Sequence, residues 1–267
     1  MGARLTGVQV AHYRREGYLV YNEPVFEPGK FAALKDCFEG LLQEWTAKKV
    51  SKSPEHMDVP HFWEPKLFNW LLDDHVLDLV EPIIGPDIAL FSSHFICKPA
   101  AVGKRVPWHE DSAYWKGRLD PMEVVTIWLA VDPSNQENGN MQVIPRTHSN
   151  GFSEYEKVDK NTNVFDTEIR QDQFDISKAV DCILKPNECS FHDGKLIHGS
   201  AANTGKMRRC GYTMRYMPTT VKYSDKQDGF QIYLARGKDR AGNTYGDPSK
   251  VNRAWIDAHP NGQPAGH

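Results

Sequence analysis

Residues 124–131 read Val-Val-Thr-Ile-Trp-Leu-Ala-Val, an apolar and β-branched run bounded by Glu123 and Asp132. Three more runs of this kind follow residue 87, at 88–97, 141–144 and 209–217, and clusters of glycine, proline, asparagine and aspartate separate them. Short strands joined by turn residues favour an all-β sandwich or barrel over alternating βαβ units. The second half of the chain is therefore predicted to be β-rich.

The first 86 residues have a helical period instead. We expect a helix over about 28–48, because proline is tolerated in a first turn and apolar residues then recur at helical spacing. Those apolar residues are Phe31, Leu34, Phe38, Leu41 and Leu42. Further helices are predicted at 7–15, with Thr6 as its N-cap, at 65–72 and at 74–84, and a short strand at 18–21.

These patterns together predict one domain over residues 1–267, mainly β with flanking helices. Its parts are a helix-rich front at 1–86, a β core at 87–218 and a C-terminal extension at 219–267. The polar stretch 49–62 is expected to be irregular, and residues 236–267 are expected to form a loosely packed tail. Residues 150–175 form a long polar insertion, which is either a lid or a surface excursion.

Composition narrows the possible partners. Of the 267 residues, 40% are hydrophobic and 25% are charged, as in a globular protein. No apolar run approaches the roughly 18 residues of a membrane span. A net charge of −3 with scattered signs gives no basic face for nucleic acid. We expect a small-molecule partner, no nucleic acid and no membrane, and no pattern indicates an oligomeric state.

Cysteine usage bears on the redox environment. The five cysteines are an odd number and form no CxxC pair: Cys37, Cys97, Cys182, Cys189 and Cys210. Such usage predicts reduced thiols, and we expect the protein to be cytoplasmic.

The segment Trp108-His109-Glu110-Asp111 carries the chemistry. On an extended segment, residues two apart point to the same side, so His109 and Asp111 can converge while Glu110 faces away. A third ligand must come from elsewhere, and His198 is the best candidate, with His192 as its rival. Two histidines and one carboxylate leave three positions of an octahedron open, as in iron(II) oxygenases. The short motif alone is weak evidence.

The order of these segments resembles the phytanoyl-CoA dioxygenase family of iron(II)- and 2-oxoglutarate-dependent oxygenases. The pattern covers about 95–218, and residues 5–20 also fit. It comprises Trp108–Asp111, Tyr114-Trp115, the strand end at 128–131, the stretch Glu137-Asn138-Gly139-Asn140-Met141-Gln142-Val143-Ile144-Pro145, His198-Gly199-Ser200, and Arg209 eleven positions after His198.

The resemblance implies a double-stranded β-helix, the jelly roll of the cupins, with the N-terminal helices packed on one sheet. It implies that His109, Asp111 and His198 hold a catalytic Fe(2+), with 2-oxoglutarate and O2 as cosubstrates. Arg209 would bind the far carboxylate of 2-oxoglutarate, for which a guanidinium fork is suited. Ser200 would add a hydroxyl donor. By the same alignment Trp128 and His94 lie beside the cosubstrate.

Alternation along the strands sorts the remaining candidates. If 208–217 is a strand, Arg209 and Arg215 share the inner face, so Arg215 could reach the substrate while Arg208 faces outward. On the strand 124–131, Thr126 and Trp128 share one side, and the apolar residues of the other side would pack against the helices. Four aromatic residues could line a substrate pocket or pack in the core: Tyr114, Trp115, Phe62 and Trp63.

One segment departs from the family pattern. The family's Pro-Gly-Ser-His reads Pro145-Arg146-Thr147-His148 here, which calls the geometry of that turn into question. Asp111 is retained, whereas halogenating relatives carry a small residue there, so hydroxylation of a small metabolite with release of succinate and CO2 is favoured. The alternatives are a cupin-like zinc or manganese enzyme, which needs no Arg209, and a non-enzymatic small-molecule sensor, against which the intact ligands count.

Overall fold

The computed structural model describes residues 5–48 and 56–259. Its helices are α1 (Gly7–Glu16), α2 (Pro28–Lys48), α3 (Phe68–Leu71), α4 (Asp74–Ile84) and α5 (Arg253–Ala258). Within these two ranges no helix is both long enough and apolar enough to cross a membrane. The helices predicted at 7–15, 28–48 and 74–84 are all present, and the one at 65–72 is a 3-10 turn followed by α3.

Local signals define the ends of α1. The Thr6 hydroxyl accepts a hydrogen bond from the Gln9 amide (3.3 Å), and the Gln9 side chain accepts one from the Thr6 amide (2.8 Å), which completes a capping box. Gly17 ends the helix in the left-handed conformation, with φ 81°, and its N–H donates to the Tyr13 carbonyl. The chain can then turn directly into the first strand.

The strands form two main antiparallel sheets. The larger has seven strands in the order β1-β11-β6-β13-β3-β15, with β2 also paired to β3, and the smaller has four in the order β10-β7-β12-β4. Small ladders join β14 to β5 and β8 to β9. The bounds are β1 Tyr18–Tyr21, β2 His56–Asp58, β3 Ile88–Lys98, β4 Val106–His109, β5 Leu119–Asp120, β6 Val125–Ala130, β7 Met141–Val143, β8 Tyr155–Lys157, β9 Thr167–Ile169, β10 Val180–Asp181, β11 Cys189–Asp193, β12 His198–Ser200, β13 Arg209–Pro218, β14 Lys222–Tyr223 and β15 Tyr233–Arg236.

The two faces of the large sheet have different neighbours. On the inner face, Trp128 and Ala130 of β6 pack with Met141 and Val143 of the small sheet. On the outer face, β6 and β13 share a core with helices α1, α2 and α4. The outer residues include Val125, Ile127, Leu129, Tyr212, Met214 and Tyr216, as the alternation predicts. The predicted jelly roll with helices on one sheet is confirmed.

Two expectations of irregular structure need correction, and the insertion 150–175 has regular structure of its own. In 49–62, of which 49–55 lie outside the described residues, His56–Asp58 form β2, because pairing with β3 supplies hydrogen bonds that local propensity does not reveal. The insertion 150–175 contains the β8–β9 hairpin. In the predicted loose tail, residues 253–258 form α5 and Trp255 is buried against Phe62 and Phe230. Residues 260–267 lie outside the described part.

Gly211 shows how closely the inner face is packed. It pairs with Ala130 across β13 and β6. A Cβ atom at this position would overlap the indole ring of Trp128 well inside van der Waals contact. The absence of a side chain therefore lets the Trp128 ring lie across β13, beside Arg209.

Candidate metal and cosubstrate site

His109 and His198 are brought together by the small sheet. His109 is the last residue of β4 and His198 the first of β12, and the two are paired in register with ring centroids 4.1 Å apart. Glu110 is extended, with φ −119° and ψ 132°, so Asp111, two residues on, points to the same side as His109. The Oδ1 atom of Asp111 lies 3.8 Å from Nε2 of His109 and 3.9 Å from Nε2 of His198.

The hydrogen bonds of the two histidines select the tautomer that a metal needs. Nδ1 of His109 lies 2.8 Å from the Pro107 carbonyl, and Nδ1 of His198 lies 2.9 Å from the Leu196 carbonyl. A carbonyl only accepts hydrogen bonds, so each Nδ1 carries the proton and each Nε2 keeps its lone pair. Both lone pairs are therefore available on the side where Asp111 lies, which is the usual outer support of a metal-binding histidine.

Burial sets the charge states. Burial lowers the pKa of His109, and it lowers that of His198 well below its usual value, with further lowering from His109 and His192. Burial alone would raise the pKa of Asp111, but Arg215 and the neighbouring histidines outweigh it and hold that pKa well below the ordinary value. Neutral imidazoles and an ionised carboxylate are the forms that bind a cation. The three donor atoms lie within 4.8 Å of one another, a spacing that fits a divalent metal.

The other oxygen of Asp111 faces different partners. Nε of Arg215 lies 3.2 Å from Oδ2, and Nε2 of His192 lies 3.7 Å from the same atom. His192, the rival for the third ligand, thus faces Oδ2 and not Oδ1, the oxygen near His109 and His198. The group with the spacing of metal ligands contains His198 and not His192. Arg215 is on the inner face as alternation predicts, and its Nε donates to Asp111.

Arg209 lies at the other end of the inner face. It is 2% exposed, its guanidinium is 5.2 Å from the Trp128 ring centroid, and Nη1 donates to the Gly139 carbonyl (2.7 Å). Its Nε has no hydrogen-bond partner in the described ranges. Burial lowers its pKa to about 10, so it remains a cation at neutral pH. A buried donor of this kind calls for an anion, and a carboxylate matches the fork geometry.

Lys98 places a buried amine beside the guanidinium of Arg209. The two residues are paired across β3 and β13, and the Lys98 Nζ donates to the carbonyls of Ser200 (3.3 Å) and Ala201. Burial, reinforced by Arg209, lowers its pKa to about 6. The sequence gave no signal for a buried Lys98, because its burial follows from pairing with β13. The end of the barrel near Arg209 therefore fits the far carboxylate of 2-oxoglutarate.

The remaining cosubstrate candidates line the barrel between these ends. Ser200 is buried on β12, two residues after His198. His94 lies in one row with Thr213 and Trp128 across β3, β13 and β6. Its Nδ1 is 3.7 Å from a carboxylate oxygen of Asp58, whose pKa burial raises to about 6. No sequence signal pointed to Asp58, since it reaches this row through the unpredicted strand β2.

The aromatic candidates divide between site and core. The Tyr114 ring is 6.3 Å from His109, centroid to centroid, and Phe165, which the sequence did not single out, is 5.2 Å from it. Trp115 packs on Phe91 and lies 5.3 Å from the Arg215 guanidinium. Phe62 and Trp63 belong to the core instead, packed in the helix-side cluster. Tyr114 and Phe165 are therefore the aromatic rings that lie against His109.

The sequence that forms these features is similar to that of a known protein family. The family model described as phytanoyl-CoA dioxygenase matches residues 13–211, which include all the candidate metal ligands and cosubstrate residues described above but not Arg215. The chain belongs to the phytanoyl-CoA dioxygenase family. The peroxisomal phytanoyl-CoA dioxygenase of Mus musculus is 30% identical over 178 residues, 65% of this chain and 52% of that protein. Its Homo sapiens counterpart is 28% identical over 194 residues, 69% and 57% respectively.

This chain thus spans about half the length of those curated relatives of the phytanoyl-CoA dioxygenase family. Among solved structures, the non-heme monooxygenase ThoJ in its apo form has a TM-score of 0.76 at 20% identity, covering 95% of each chain. EctD from S. alaskensis with 2-oxoglutarate and 5-hydroxyectoine has a TM-score of 0.68 at 20% identity, covering 82% of this chain and 78% of that one. At this identity the likeness establishes the shared fold.

The insertion 150–175 of this family member is fastened to the metal-site strand by two buried carboxylates. The Glu168 carboxylate accepts a hydrogen bond from the amide of Trp108 (3.0 Å), the residue before His109. It also forms an ion pair with Arg105. Glu110, which faces away from the metal ligands as expected, accepts from the Ser153 amide (2.9 Å). These contacts tie the insertion to the strand of His109, and action as a lid stays a prediction.

The turn that departs from the phytanoyl-CoA dioxygenase pattern keeps a backbone suited to glycine. Arg146 occupies the left-handed region with φ 71°. Its Nε and Nη2 each donate to a carboxylate oxygen of Glu16 at 2.9 Å, and its amide donates to the Glu16 carbonyl at 2.8 Å. This double contact with helix α1 offsets the backbone strain of a non-glycine residue.

Proposed function

We propose that this chain is an iron(II)- and 2-oxoglutarate-dependent dioxygenase. It oxidises a small-molecule metabolite, in the simplest case by hydroxylation, and releases succinate and carbon dioxide. The observation that carries this proposal is the pairing of two features on one inner surface. A two-histidine, one-carboxylate group lies at one end, and a buried arginine with an open donor lies at the other. A keto acid with two carboxylates suits such a surface, because one end of the molecule can bind a metal while its far carboxylate binds the arginine.

The roles of the residues follow from their positions. Nε2 of His109, Nε2 of His198 and Oδ1 of Asp111 would hold the metal, and three protein ligands would leave coordination positions for other ligands. Arg209 binds the far carboxylate of the cosubstrate, Ser200 adds a hydroxyl donor, and Trp128 forms the wall beside it. When bound, iron(II) and 2-oxoglutarate together supply the dioxygen activation that side chains cannot perform. The buried setting of all three ligands excludes water from the reacting centre.

Two alternatives are less consistent with this arrangement. A cupin-like zinc or manganese enzyme has no use for a buried cation with an open donor, which would only cost stability. A non-enzymatic sensor does not need a complete ligand set with both tautomers selected by hydrogen bonds. The retained carboxylate of Asp111 supports hydroxylation over halogenation, since a halide needs that position on the metal.

The substrate class is inferred from the side of the metal site that faces Tyr114 and Phe165. Two aromatic rings against His109 suit an apolar or ring-containing group of a small metabolite. Relatives named phytanoyl-CoA dioxygenase supply one candidate, and the 5-hydroxyectoine in the EctD structure supplies another chemical class. Phe165→Ala is expected to broaden the range of accepted substrates, because it removes one wall.

A coupled screen tests the proposal. Purified protein with iron(II), 2-oxoglutarate and oxygen is offered acyl thioesters, amino acids, phosphonates and alkaloid-like compounds, and succinate is measured. Substrate-stimulated succinate formation that disappears in His198→Ala is the expected result. Turnover of any substrate with zinc or manganese and without consumption of 2-oxoglutarate would favour the cupin-like alternative and refute the proposal.

A further inference from the structure

The two carboxylate oxygens of Asp111 have separate surroundings. Oδ1 is the atom near both metal-site histidines, at 3.8 Å from His109 and 3.9 Å from His198. Oδ2 is the atom near Arg215, at 3.2 Å, and near His192, at 3.7 Å. The side chains involved are all buried. One oxygen thus faces the space for a metal, and the other faces two nitrogen-bearing side chains of the large sheet.

Arg215 is held in place from a second direction. Its guanidinium lies 5.3 Å from the Trp115 ring centroid, and the Trp115 ring packs edge-on against Phe91 at 5.1 Å. The residue pairs with Thr126 of β6 and Ser92 of β3, in the interior of the large sheet. Because the side chain lies between an aromatic ring and a carboxylate, it has little freedom to turn towards another ligand.

His192 approaches the same oxygen from strand β11, which β6 separates from β13. It pairs with Thr126 across β11 and β6, and its ring is 4.6 Å from that of His198. It is 1% exposed, and within the described ranges neither ring nitrogen has a hydrogen-bond partner at normal distance. At 3.7 Å from Oδ2, Nε2 is the ring nitrogen that faces the carboxylate.

We propose that Arg215 and His192 are positioning residues that hold Oδ2 of Asp111, so that only Oδ1 is offered to the metal. The inference rests on the metal site of the proposed function and assigns Arg215 to the carboxylate instead of the substrate. Carboxylates bind metals through one or both oxygens. A carboxylate bound through both would take one of the positions that cosubstrate and dioxygen need, so a fixed Oδ2 keeps that position open.

Metal binding without turnover tests this directly. Metal-free wild type and variants are titrated with cobalt(II) alone, whose visible spectrum reports the ligand arrangement. Arg215→Lys keeps the charge but removes the planar Nε–H donor. We expect cobalt(II) affinity to fall by about 10–100-fold, the usual loss when an outer partner of a metal ligand is removed, together with a changed spectrum.

His192→Phe provides a second variant of similar shape without ring nitrogens. A smaller loss is expected, because the 3.7 Å approach is longer than that of Arg215. Arg208→Lys is the matched control on the same strand region, since Arg208 pairs with Glu39 and Asp132 away from the metal site. Thermal unfolding of each metal-free variant shows that it is folded before titration.

The outcomes separate the two proposals. If folded Arg215→Lys binds cobalt(II) as the wild type does, with the same spectrum, the positioning inference is wrong whatever the enzyme's activity. Unchanged binding in His192→Phe beside weakened binding in Arg215→Lys removes the role given to His192. If both variants bind weakly while the wild type never consumes 2-oxoglutarate, the positioning inference stands and the proposed function fails.

Discussion

His109 and His198 face each other across strands β4 and β12, with ring centroids 4.1 Å apart, although they are far apart in the sequence. The two histidines are adjacent only in the folded chain, because they belong to different strands that meet when the small sheet forms. Metal binding is therefore coupled to folding.

A bound divalent metal should raise the unfolding temperature. At a metal concentration about 100 times Kd, binding adds about 2.7 kcal/mol, which corresponds to roughly 5–10 °C for a domain of this size. Thermal unfolding with manganese(II) or cobalt(II) measures the shift. His198→Ala should remove it, whereas His12→Gln on α1 should keep it. An equal shift in His198→Ala would show that the metal binds elsewhere.

The Arg209 side chain should control cosubstrate affinity. Arg209→Lys keeps a cation but loses the fork, and hydrogen bonds between charged groups are worth about 1.5–3 kcal/mol, so KM for 2-oxoglutarate should rise by about 10–100-fold. Steady-state succinate formation over a range of 2-oxoglutarate concentrations gives the value. Arg208→Lys, whose partners are Glu39 and Asp132, should leave this KM unchanged. A KM within twofold of wild type in Arg209→Lys would contradict the assignment.

Gly211→Ala should disturb the cosubstrate wall. The new methyl overlaps the Trp128 ring, and overpacking of this kind costs about 1–3 kcal/mol. Urea unfolding should show that loss, and KM for 2-oxoglutarate should rise with it because Trp128 must move. Gly40→Ala on α2, where a Cβ meets nothing within 4 Å, is the control and should stabilise by up to about 1 kcal/mol. A neutral Gly211→Ala would show that the Trp128 ring has room to shift.

The Glu16–Arg146 ion pair should contribute to the way the free energy of unfolding falls at acid pH. Hydrogen bonds from Arg146 and Arg15 lower the pKa of Glu16 to about 2. A lowered carboxyl pKa stabilises the fold above the unfolded value near 4.5, and this contribution is lost as the pH falls towards 2. Since the Arg146 side chain is 68% exposed and solvent screens the pair, the loss is at most about 1 kcal/mol. Glu16→Gln should flatten urea-derived stability over this range, and an unaltered acid limb would contradict the pairing.

Much of the site was readable from short patterns. Alternation on an extended segment predicted that His109 and Asp111 converge, and alternation along β13 predicted that Arg209 and Arg215 share the inner face. Both predictions depend only on local backbone geometry, so they can be made without knowing the order of the strands in the sheet. The capping box at Thr6 and the helical period of α2 are equally local, and these elements match the structure.

Other features depend on which strands become neighbours. Asp58 reaches the inner row because β2 pairs with β3, and Lys98 is buried because it pairs with Arg209. Phe165 meets His109 because Glu168 fastens the insertion to the amide of Trp108. Periodicity carries no information on such contacts, since each joins segments distant in the sequence. The same holds for the contact between Arg215 and Asp111.

The most direct test of the proposed iron and 2-oxoglutarate site is an anaerobic titration followed by visible absorption. Wild-type protein loaded with iron(II) should develop a metal-to-ligand charge-transfer band as 2-oxoglutarate is added, saturating at one equivalent per chain. Asp111→Ala and His198→Ala should show no band. Wild-type protein that holds iron(II) yet gives no band at saturating 2-oxoglutarate would contradict the account.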